Sequence, residues 1–266
     1  MSSGVKRINP PYLFGGKRRV ADFVVPSSPE WFGGYVEPFL GSGASAIALM
    51  QGHPEASFTL NSPSEHVVDV WLAVQYESKA LIALMREHRA LHSAGHFAAV
   101  RRWDAEGELP QKTLIERAAR FVYLTATNPG GGYPVDESGL STASFGQAPV
   151  AFDEANLRAL AGLLADRDVR LSSVPAFELV PQIRDEDLVL VDTTAAPDAL
   201  TDRELKSLLG TLTARGAYLL VTAPTDARAA LFDSWNTLTR VSDHPDGERL
   251  WGNGTLERAL RLHGAP

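Results

Sequence analysis

Asp187-Leu188-Val189-Leu190-Val191-Asp192-Thr193-Thr194-Ala195 is the segment on which we expect the function of this chain to depend. Four apolar residues in a row lead into an acid and two hydroxyls, a pattern that predicts a buried strand ending at a functional edge. Ligands of open α/β sheets bind just beyond the carboxyl ends of such strands. We therefore expect Asp192, Thr193 and Thr194 to lie at a ligand site, as candidates for catalysis.

A second stretch, Tyr35-Val36-Glu37-Pro38-Phe39-Leu40-Gly41-Ser42-Gly43-Ala44, has the same design of a strand that runs into a turn. A helix of small residues follows it. The two glycines allow a tight turn and leave room for an adenosine or a phosphate at the helix N-terminus. Glu37 stands near the strand end, where its carboxylate can accept hydrogen bonds from a ligand amine. If the two strands are neighbours, this turn and Asp192 frame one crevice.

Short apolar segments alternate with helical patterns along most of the rest of the chain. The other predicted strands are 58–60, 169–171 and 217–222. Alternation at this spacing predicts an α/β fold with a mostly parallel sheet and helices on both faces. Residues 77–145 interrupt it with a helical pattern and a long loop. We therefore predict one α/β domain formed by 1–76 and 146–266, with 77–145 as a helical insert.

The composition limits the classes of function. The chain has 266 residues, a net charge of −7 and no cysteine. The negative charge argues against a protein dedicated to nucleic acid, although a local basic surface is compatible with it. Without cysteine there is no thiolate metal site, and the histidines are spaced too irregularly to predict a metal. There is no membrane-spanning run and no signal core, so we expect a cytoplasmic protein with no membrane partner.

One basic and aromatic concentration falls within the helical insert. Its cations include Arg86, Arg89, Arg101 and Arg102, and Trp103 is among the aromatic residues interleaved with them. Such a surface suits contact with the phosphates of DNA. For any single arginine the alternative is a solvated helical face.

Four segments resemble the Dam-type adenine-N6 DNA methyltransferases, and order and spacing agree from about residue 10 to residue 225. The segments are 14–17, 36–43, 121–146 and 187–195. Proteins of this family bind S-adenosylmethionine on a Rossmann-like sheet and methylate a flipped adenine. The resemblance therefore implies a Rossmann-like fold, S-adenosylmethionine as cofactor and DNA as partner.

The resemblance also implies roles for particular residues. Asp192 falls at the acid of the family's catalytic Asp-Pro-Pro-Tyr, and Tyr133 falls in its DNA-contacting loop. The positions that correspond to cofactor contacts are Phe14, Gly16, Lys17, Glu37, Pro38, Phe39, Gly41, Ser42, Gly43 and Ser62.

The chain departs from the family at positions that carry chemistry. Thr193, Thr194 and Ala195 replace Pro, Pro and Tyr, and Ser62 replaces an acid that holds the cofactor. Thr222-Ala223 replaces a Ser-Asn pair. In the long loop, the positions that hold Asn and Arg in the family are here Thr125, Ala126, Gly130, Pro134 and Thr142.

These departures have physical consequences. Ala195 cannot stack on a flipped base, a contact worth about 1–3 kcal/mol in single-strand binders. Losing the prolines loosens the backbone carbonyl that holds the target amine, and a misplacement of about 1 Å can cost about 100-fold in rate. We therefore predict weak S-adenosylmethionine binding and impaired or lost methyl transfer. Two alternatives stay open, namely an active enzyme with an altered base substrate and a non-catalytic protein that binds a partner.

Overall fold

The computed structural model describes residues 7–12, 20–195, 199–223, 226–243 and 249–262. Within these residues the chain divides into two compact units. The α/β unit consists of 18–64 and 167–266, and the helical unit consists of 1–17 and 65–166. The predicted insert, 77–145, falls inside the helical unit, which extends on either side of it.

The α/β unit contains a sheet of seven strands in the part of the chain that the structure describes. The strands are β1 (Gly34–Glu37), β2 (Ser57–Asn61), β3 (Val169–Ser172), β4 (Leu188–Asp192), β5 (Tyr218–Ala223), β6 (Leu238–Asp243) and β7 (Arg249–Asn253). Their order across the sheet is β3-β2-β1-β4-β5-β7-β6. The first five strands are parallel, and β7 runs antiparallel to both β5 and β6. The predicted mostly parallel, Rossmann-like sheet is therefore confirmed.

The helices of the described residues are α1 (Val20–Val24), α2 (Ala44–Gly52), α3 (Glu65–Leu91), α4 (Ala94–Arg101), α5 (Leu114–Thr127), α6 (Glu154–Ala165), α7 (Ala176–Leu179), α8 (Asp202–Ala214), α9 (Asp226–Asp233) and α10 (Gly254–Leu262). Helices α3 to α6 belong to the helical unit. Among the residues described, no helix is both long and apolar enough to cross a membrane.

The burial of β4 explains why its sequence is so apolar. Its residues from Leu188 to Val191 are at most 1% exposed. Strands of a parallel sheet that is covered on both faces need apolar side chains in both directions, which gives a continuous apolar run instead of an alternation. Helix α8 contributes to the covering layer with four leucines at helical spacing, namely Leu205, Leu208, Leu209 and Leu212.

Helix α8 also shows how local sequence sets a helix start. The side chain of Thr201 accepts a hydrogen bond from the backbone N–H of Glu204, and the Glu204 carboxylate accepts one from the backbone N–H of Thr201. This capping box satisfies two donors that would otherwise have no partner at the first turn. The same arrangement begins α5, where Thr113 and Glu116 are the partners.

In the helical unit, the main break is in the long helix α3. Glu77 has φ −134° and ψ 29°, which is not helical, so α3 is two helical segments joined at a kink. Helix α3 packs extensively against α5 and α6. Between α5 and α6 the chain from 128 to 153 has no regular element apart from one isolated bridge between Val135 and Ser141.

Candidate active site

The two stretches that the sequence singled out form neighbouring strands. Tyr35 of β1 is paired with Leu188 of β4, and Val36 is paired with Val189. The chain runs from β1 outward to β3 and then returns to β4, so the order of the sheet reverses between β1 and β4. Such a switch point at the carboxyl ends of parallel strands is where α/β sheets bind ligands.

The loops that follow these strands come into close contact. A Cβ atom added to Gly41 would lie 3.1 Å from the Cβ of Ala195, which is closer than an ordinary van der Waals contact. A side chain at position 41 would therefore require the loop at Ala195 to shift by a few tenths of an ångström. Glycine at this position keeps the turn after β1 against the turn after β4.

Gly43 gives the turn after β1 its shape. Its φ of 77° and ψ of 19° place it in the left-handed region, where glycine has no steric cost. It caps α2, a helix without any side-chain cap. The first N–H groups of a helix have no partner within the helix, so this turn offers donors to a ligand. Gly41 and Ser42 are partly exposed there.

Glu37 is a buried acid at the end of β1. It is 3% exposed, and its Oε2 accepts a hydrogen bond of 2.8 Å from the hydroxyl of Tyr35. Burial raises the pKa of Glu37 to about 8, with a smaller contribution from the nearby Asp192 charge, although the Tyr35 bond acts in the opposite direction. Glu37 is therefore largely protonated at neutral pH.

Asn61, at the end of β2, fixes the chain that follows β1. Its Nδ2 donates to the carbonyls of Pro38 at 2.9 Å and Val174 at 3.0 Å. Its Oδ1 accepts from the Ser172 hydroxyl at 2.8 Å and from the Val174 N–H at 2.9 Å. Sequence reasoning missed Asn61, and a polar residue directly at a predicted strand end is the signal that could have revealed it.

The next residue, Ser62, is one of the positions predicted to contact the cofactor. It is 3% exposed, and its backbone N–H donates to the carbonyl of Ser172 at 3.1 Å. Its hydroxyl accepts a hydrogen bond of 3.3 Å from the backbone N–H of Ser64. Pro38 and Phe39 lie in the buried segment that leads from Glu37 to the glycine turn.

Asp192 is surrounded by donors from its own chain. Its Oδ1 accepts hydrogen bonds from the Thr194 N–H at 2.9 Å, the Thr194 hydroxyl at 2.6 Å and the Thr222 hydroxyl at 2.7 Å. The hydroxyl of Thr193 donates to the carbonyl of Thr222 at 2.7 Å. The three threonine hydroxyls are therefore all used within the protein, and one carboxylate oxygen carries three donors.

Three predicted cofactor contacts, Phe14, Gly16 and Lys17, lie outside the described residues. Within the described residues, no cluster of three or more histidine, aspartate or glutamate side chains is arranged to hold a metal ion. The described part of the candidate site consists of the turn after β1, the ends of β2 and β4, and Thr222 of β5.

The predicted DNA contacts belong to the helical unit. Arg86 forms a two-pronged ion pair with Glu154, at 2.9 and 2.5 Å, and Arg89 reaches the same carboxylate at 3.5 Å. Arg158, which the sequence analysis did not single out, joins them at 3.5 Å. Three arginines thus share one glutamate, which leaves an excess of positive charge.

The other predicted DNA contacts have different surroundings. Arg101 donates to the carbonyl of Ala143 at 3.1 Å, and Arg102 pairs with Glu106 at 3.3 Å. The ring of Tyr133 packs on Phe121, with centroids 4.7 Å apart. All five DNA-contact assignments, like those at the cofactor positions, stay predictions.

Comparison with known proteins identifies a family whose model matches the sequence of this chain. The model of the D12 class N6 adenine-specific DNA methyltransferases matches residues 14–194. The type II methyltransferase M1.LlaDCHI of Lactococcus lactis subsp. cremoris is 23% identical over 185 residues. That match covers 69% of this chain and 64% of the relative, so the chain spans less than two thirds of the length of that protein.

Two solved structures are similar at low identity. A methyltransferase from Geobacter sulfurreducens is 12% identical with a TM-score of 0.41, over 91% of this chain and 80% of that one. A SAM-dependent O-methyltransferase from Thermotoga maritima is 10% identical with a TM-score of 0.38, over 88% of this chain and 64% of that one. The family match covers most of the chain, including the glycine turn after β1 and the acid at the end of β4. This chain belongs to the family of D12 class N6 adenine-specific DNA methyltransferases.

Proposed function

We propose that this chain binds S-adenosylmethionine weakly at the β1–β4 edge and that its transfer of methyl groups to adenine in DNA is impaired or lost. The observation that carries the proposal is the environment of Asp192. One oxygen of its carboxylate already accepts three hydrogen bonds, two from Thr194 and one from Thr222.

The chemistry of the reaction explains why this matters. S-adenosylmethionine supplies an electrophilic methyl group, and the adenine amine must turn its lone pair toward that group. Acceptors on the two amine hydrogens hold it in this orientation. Asp192 is the acceptor that this chain retains, but Thr194 competes for it with an N–H and a hydroxyl, neither of which a proline would have.

The support for cofactor binding comes from the β1 turn. Gly43 shapes the turn at the start of α2, and Glu37 provides a buried carboxyl for a ligand amine. The binding should be weak because Ser62 stands where the family has an acid. A hydrogen bond to a charged group contributes about 1.5–3 kcal/mol, which a serine hydroxyl does not match.

The altered-substrate alternative requires threonine hydroxyls that can reach a new base. The hydroxyls of Thr193, Thr194 and Thr222 donate to Thr222 or Asp192 of the same chain. Because these hydroxyls already donate within the protein, the pattern favours a site without free hydroxyl donors over a new polar pocket for a different base. A partner-binding protein without cofactor is the remaining alternative, and the retained glycine turn weighs against it.

Two measurements test the proposal. Calorimetric titration with S-adenosylmethionine should show weak binding to the unmodified protein and none to Gly43→Trp, which fills the turn. Glu37→Gln, which keeps the shape of the site, should bind more weakly than the unmodified protein. Equal binding by all three proteins would place the cofactor site elsewhere.

Tritiated-methyl incorporation into adenine-containing DNA tests the catalytic part. The unmodified protein should incorporate label very slowly or not at all. The triple change Thr193→Pro, Thr194→Pro and Ala195→Tyr should raise incorporation, because it removes the Thr194 donors and adds a ring that stacks on the base. Rapid incorporation by the unmodified protein would overturn the proposal.

A further inference from the structure

Arg120 in helix α5 is a fully buried arginine that the active site does not use. It is 0% exposed, and four hydrogen bonds hold its guanidinium. Nε donates to the carbonyl of Val100 at 2.9 Å, and Nη2 donates to the carbonyl of Arg101 at 2.8 Å. These two bonds fix the guanidinium at the C-terminal end of α4.

The other two bonds of Arg120 lead to the long loop between α5 and α6. Nη1 donates to the hydroxyl of Tyr133, and Nη2 donates to Oδ2 of Asp104 at 2.7 Å. The same Asp104 oxygen accepts a hydrogen bond of 2.8 Å from the backbone N–H of Ser141. Arg120 therefore contacts the loop directly at Tyr133. It contacts the loop indirectly at Ser141, through its ion-pair partner Asp104.

Tyr133 and Ser141 lie in a small hairpin, residues 133–142. The backbone N–H of Thr142 donates to the carbonyl of Pro134, and that of Asp136 donates to the carbonyl of Leu140, both at 2.9 Å. The Asp136 carboxylate closes the turn by accepting from the N–H groups of Ser138 and Leu140. The hairpin thus has internal order, and the Arg120–Asp104 pair attaches both of its arms, at Tyr133 and at Ser141.

The later part of the loop is attached independently. Arg101 donates to the carbonyl of Ala143 at 3.1 Å, and Nε2 of His92 lies 3.0 Å from the carbonyl oxygen of Gly146. Loss of the Arg120 contacts would therefore loosen the hairpin, which would keep the packing of Tyr133 on Phe121, while leaving the rest of the loop in place.

We propose that Arg120 is a positioning residue, which with Asp104 holds the 133–142 hairpin in one arrangement before any ligand binds. The proposal rests on the proposed function only in taking duplex DNA as the ligand of this hairpin. Residues 128–146 contain no lysine or arginine. Their contacts with DNA would therefore include no ion pairs between side-chain cations and phosphate.

Hydrogen exchange on the free protein tests the positioning. In Arg120→Met, the amides of Ser141 and Thr142 should exchange about tenfold faster or more, because a buried charged contact holds the hairpin. Arg117→Met is the matched control, because Arg117 lies on the same helix and pairs with Asp69 at 2.7 Å without a hydrogen bond to the hairpin.

In the control, the two hairpin amides should exchange at the unmodified rate. If Arg120→Met does not fold, Tyr133→Phe gives the same test, since it removes one hydroxyl and keeps the ring. A smaller increase at the same amides is then expected. Unchanged exchange in both Arg120→Met and Tyr133→Phe, or an equal increase in Arg117→Met, would overturn the proposal.

DNA titration separates this proposal from the proposed function. Arg120→Met should lower the affinity for duplex DNA severalfold without changing its dependence on salt, because no ion pair with phosphate is lost. A change in the salt dependence would contradict the assigned role. If the unmodified protein does not bind DNA, the DNA part of the proposed function fails, whereas the exchange result still decides the role of Arg120.

Discussion

At Asp192, the acid of the family motif is present but its surroundings are different. A carboxylate oxygen that already accepts from Thr194 and Thr222 has less capacity for a further donor. A ligand amine that approaches this oxygen must compete with these internal bonds, and each hydrogen bond to a charged group is worth about 1.5–3 kcal/mol. We therefore expect the capacity of this acid to hold a target amine to depend on the donors next to it.

Ser62 offers a direct test of cofactor affinity at the residue scale. We expect Ser62→Asp to strengthen S-adenosylmethionine binding by roughly tenfold or more, because it restores a charged acceptor at the end of β2. An aspartate can also accept the hydrogen bond that the Ser62 hydroxyl takes from the Ser64 N–H. Calorimetric titration measures the change.

Ser64→Asp is the control for the Ser62 prediction. It adds the same charge two residues further along, so it separates a specific contact from the effect of net charge. If both variants strengthen binding equally, Ser62 is not a cofactor contact.

The buried carboxyl of Glu37 should make stability depend on pH. Burial raises the pKa of Glu37 from 4.5 to about 8, so between these values the folded chain keeps a proton that the unfolded chain has lost. Stability therefore falls as the pH rises through this window. We expect a loss of roughly 3–5 kcal/mol in the free energy of unfolding, and a smaller loss in Glu37→Gln. Urea denaturation at about pH 5 and about pH 8 measures both.

The comparison between the two proteins isolates Glu37 from the other acids. Identical pH profiles for the unmodified protein and Glu37→Gln would show that Glu37 is ionised in the folded chain. In that case its carboxylate would already be charged before a ligand arrives.

At the scale of elements, helices α3 and α6 together form a charge cluster that neither forms alone. Arg86 and Arg89 of α3 and Arg158 of α6 share the single carboxylate of Glu154. All three arginines are about half exposed. Exposed ion pairs of this kind contribute little to stability, and we propose that the excess positive charge binds phosphates of DNA.

Replacing Arg86, Arg89 and Arg158 together by glutamine should weaken DNA binding and reduce its salt dependence. Each lost phosphate contact lowers the slope of log affinity against log salt by about 0.9. Titration of duplex DNA at several salt concentrations measures both effects.

A second triple change gives a control with the same change in net charge. Arg170, Arg240 and Arg261 are exposed arginines of the α/β unit. Replacing them by glutamine should leave the slope unchanged. Equal losses in the two triple variants would indicate a general effect of charge and would contradict a specific role for the α3–α6 cluster.

For the molecule as a whole, the sequence predicted best those elements whose signal is local. The apolar run of β4 and the glycine turn after β1 follow from burial and backbone freedom, which act within a few residues. Strands β6 and β7 were not predicted. β6 carries polar residues such as Thr239, Arg240 and Ser242. It is a strand because it pairs with β7, and its own composition does not predict this pairing.

The parts of the candidate site that the sequence could not supply depend on distant partners. Thr222 donates to Asp192 from a neighbouring strand, 30 positions along the chain. Arg120 looks like any cation on a helix until Asp104 and Tyr133 are brought next to it by tertiary packing. The periodicity of apolar residues predicts which face of a helix or strand is buried. The side-chain partners of Asp192 and Arg120 depend instead on which helices and strands become neighbours in the fold.

The division into two compact units makes a last prediction about the molecule. The described positions of the candidate cofactor site lie in the α/β unit and the candidate DNA contacts lie in the helical unit, so we expect changes at the described positions of one site to leave the other ligand's intrinsic binding unchanged. Changes that share no interaction partners usually act independently, within about 0.3–0.5 kcal/mol. Gly43→Trp should therefore abolish S-adenosylmethionine binding and keep DNA binding, whereas the Arg86, Arg89 and Arg158 triple variant should do the reverse. Calorimetry with each ligand alone measures the four affinities. Loss of both S-adenosylmethionine and DNA binding in either variant would contradict this prediction. It would mean that the two sites behave as one cooperative site, because a change at one of them would then abolish binding at both.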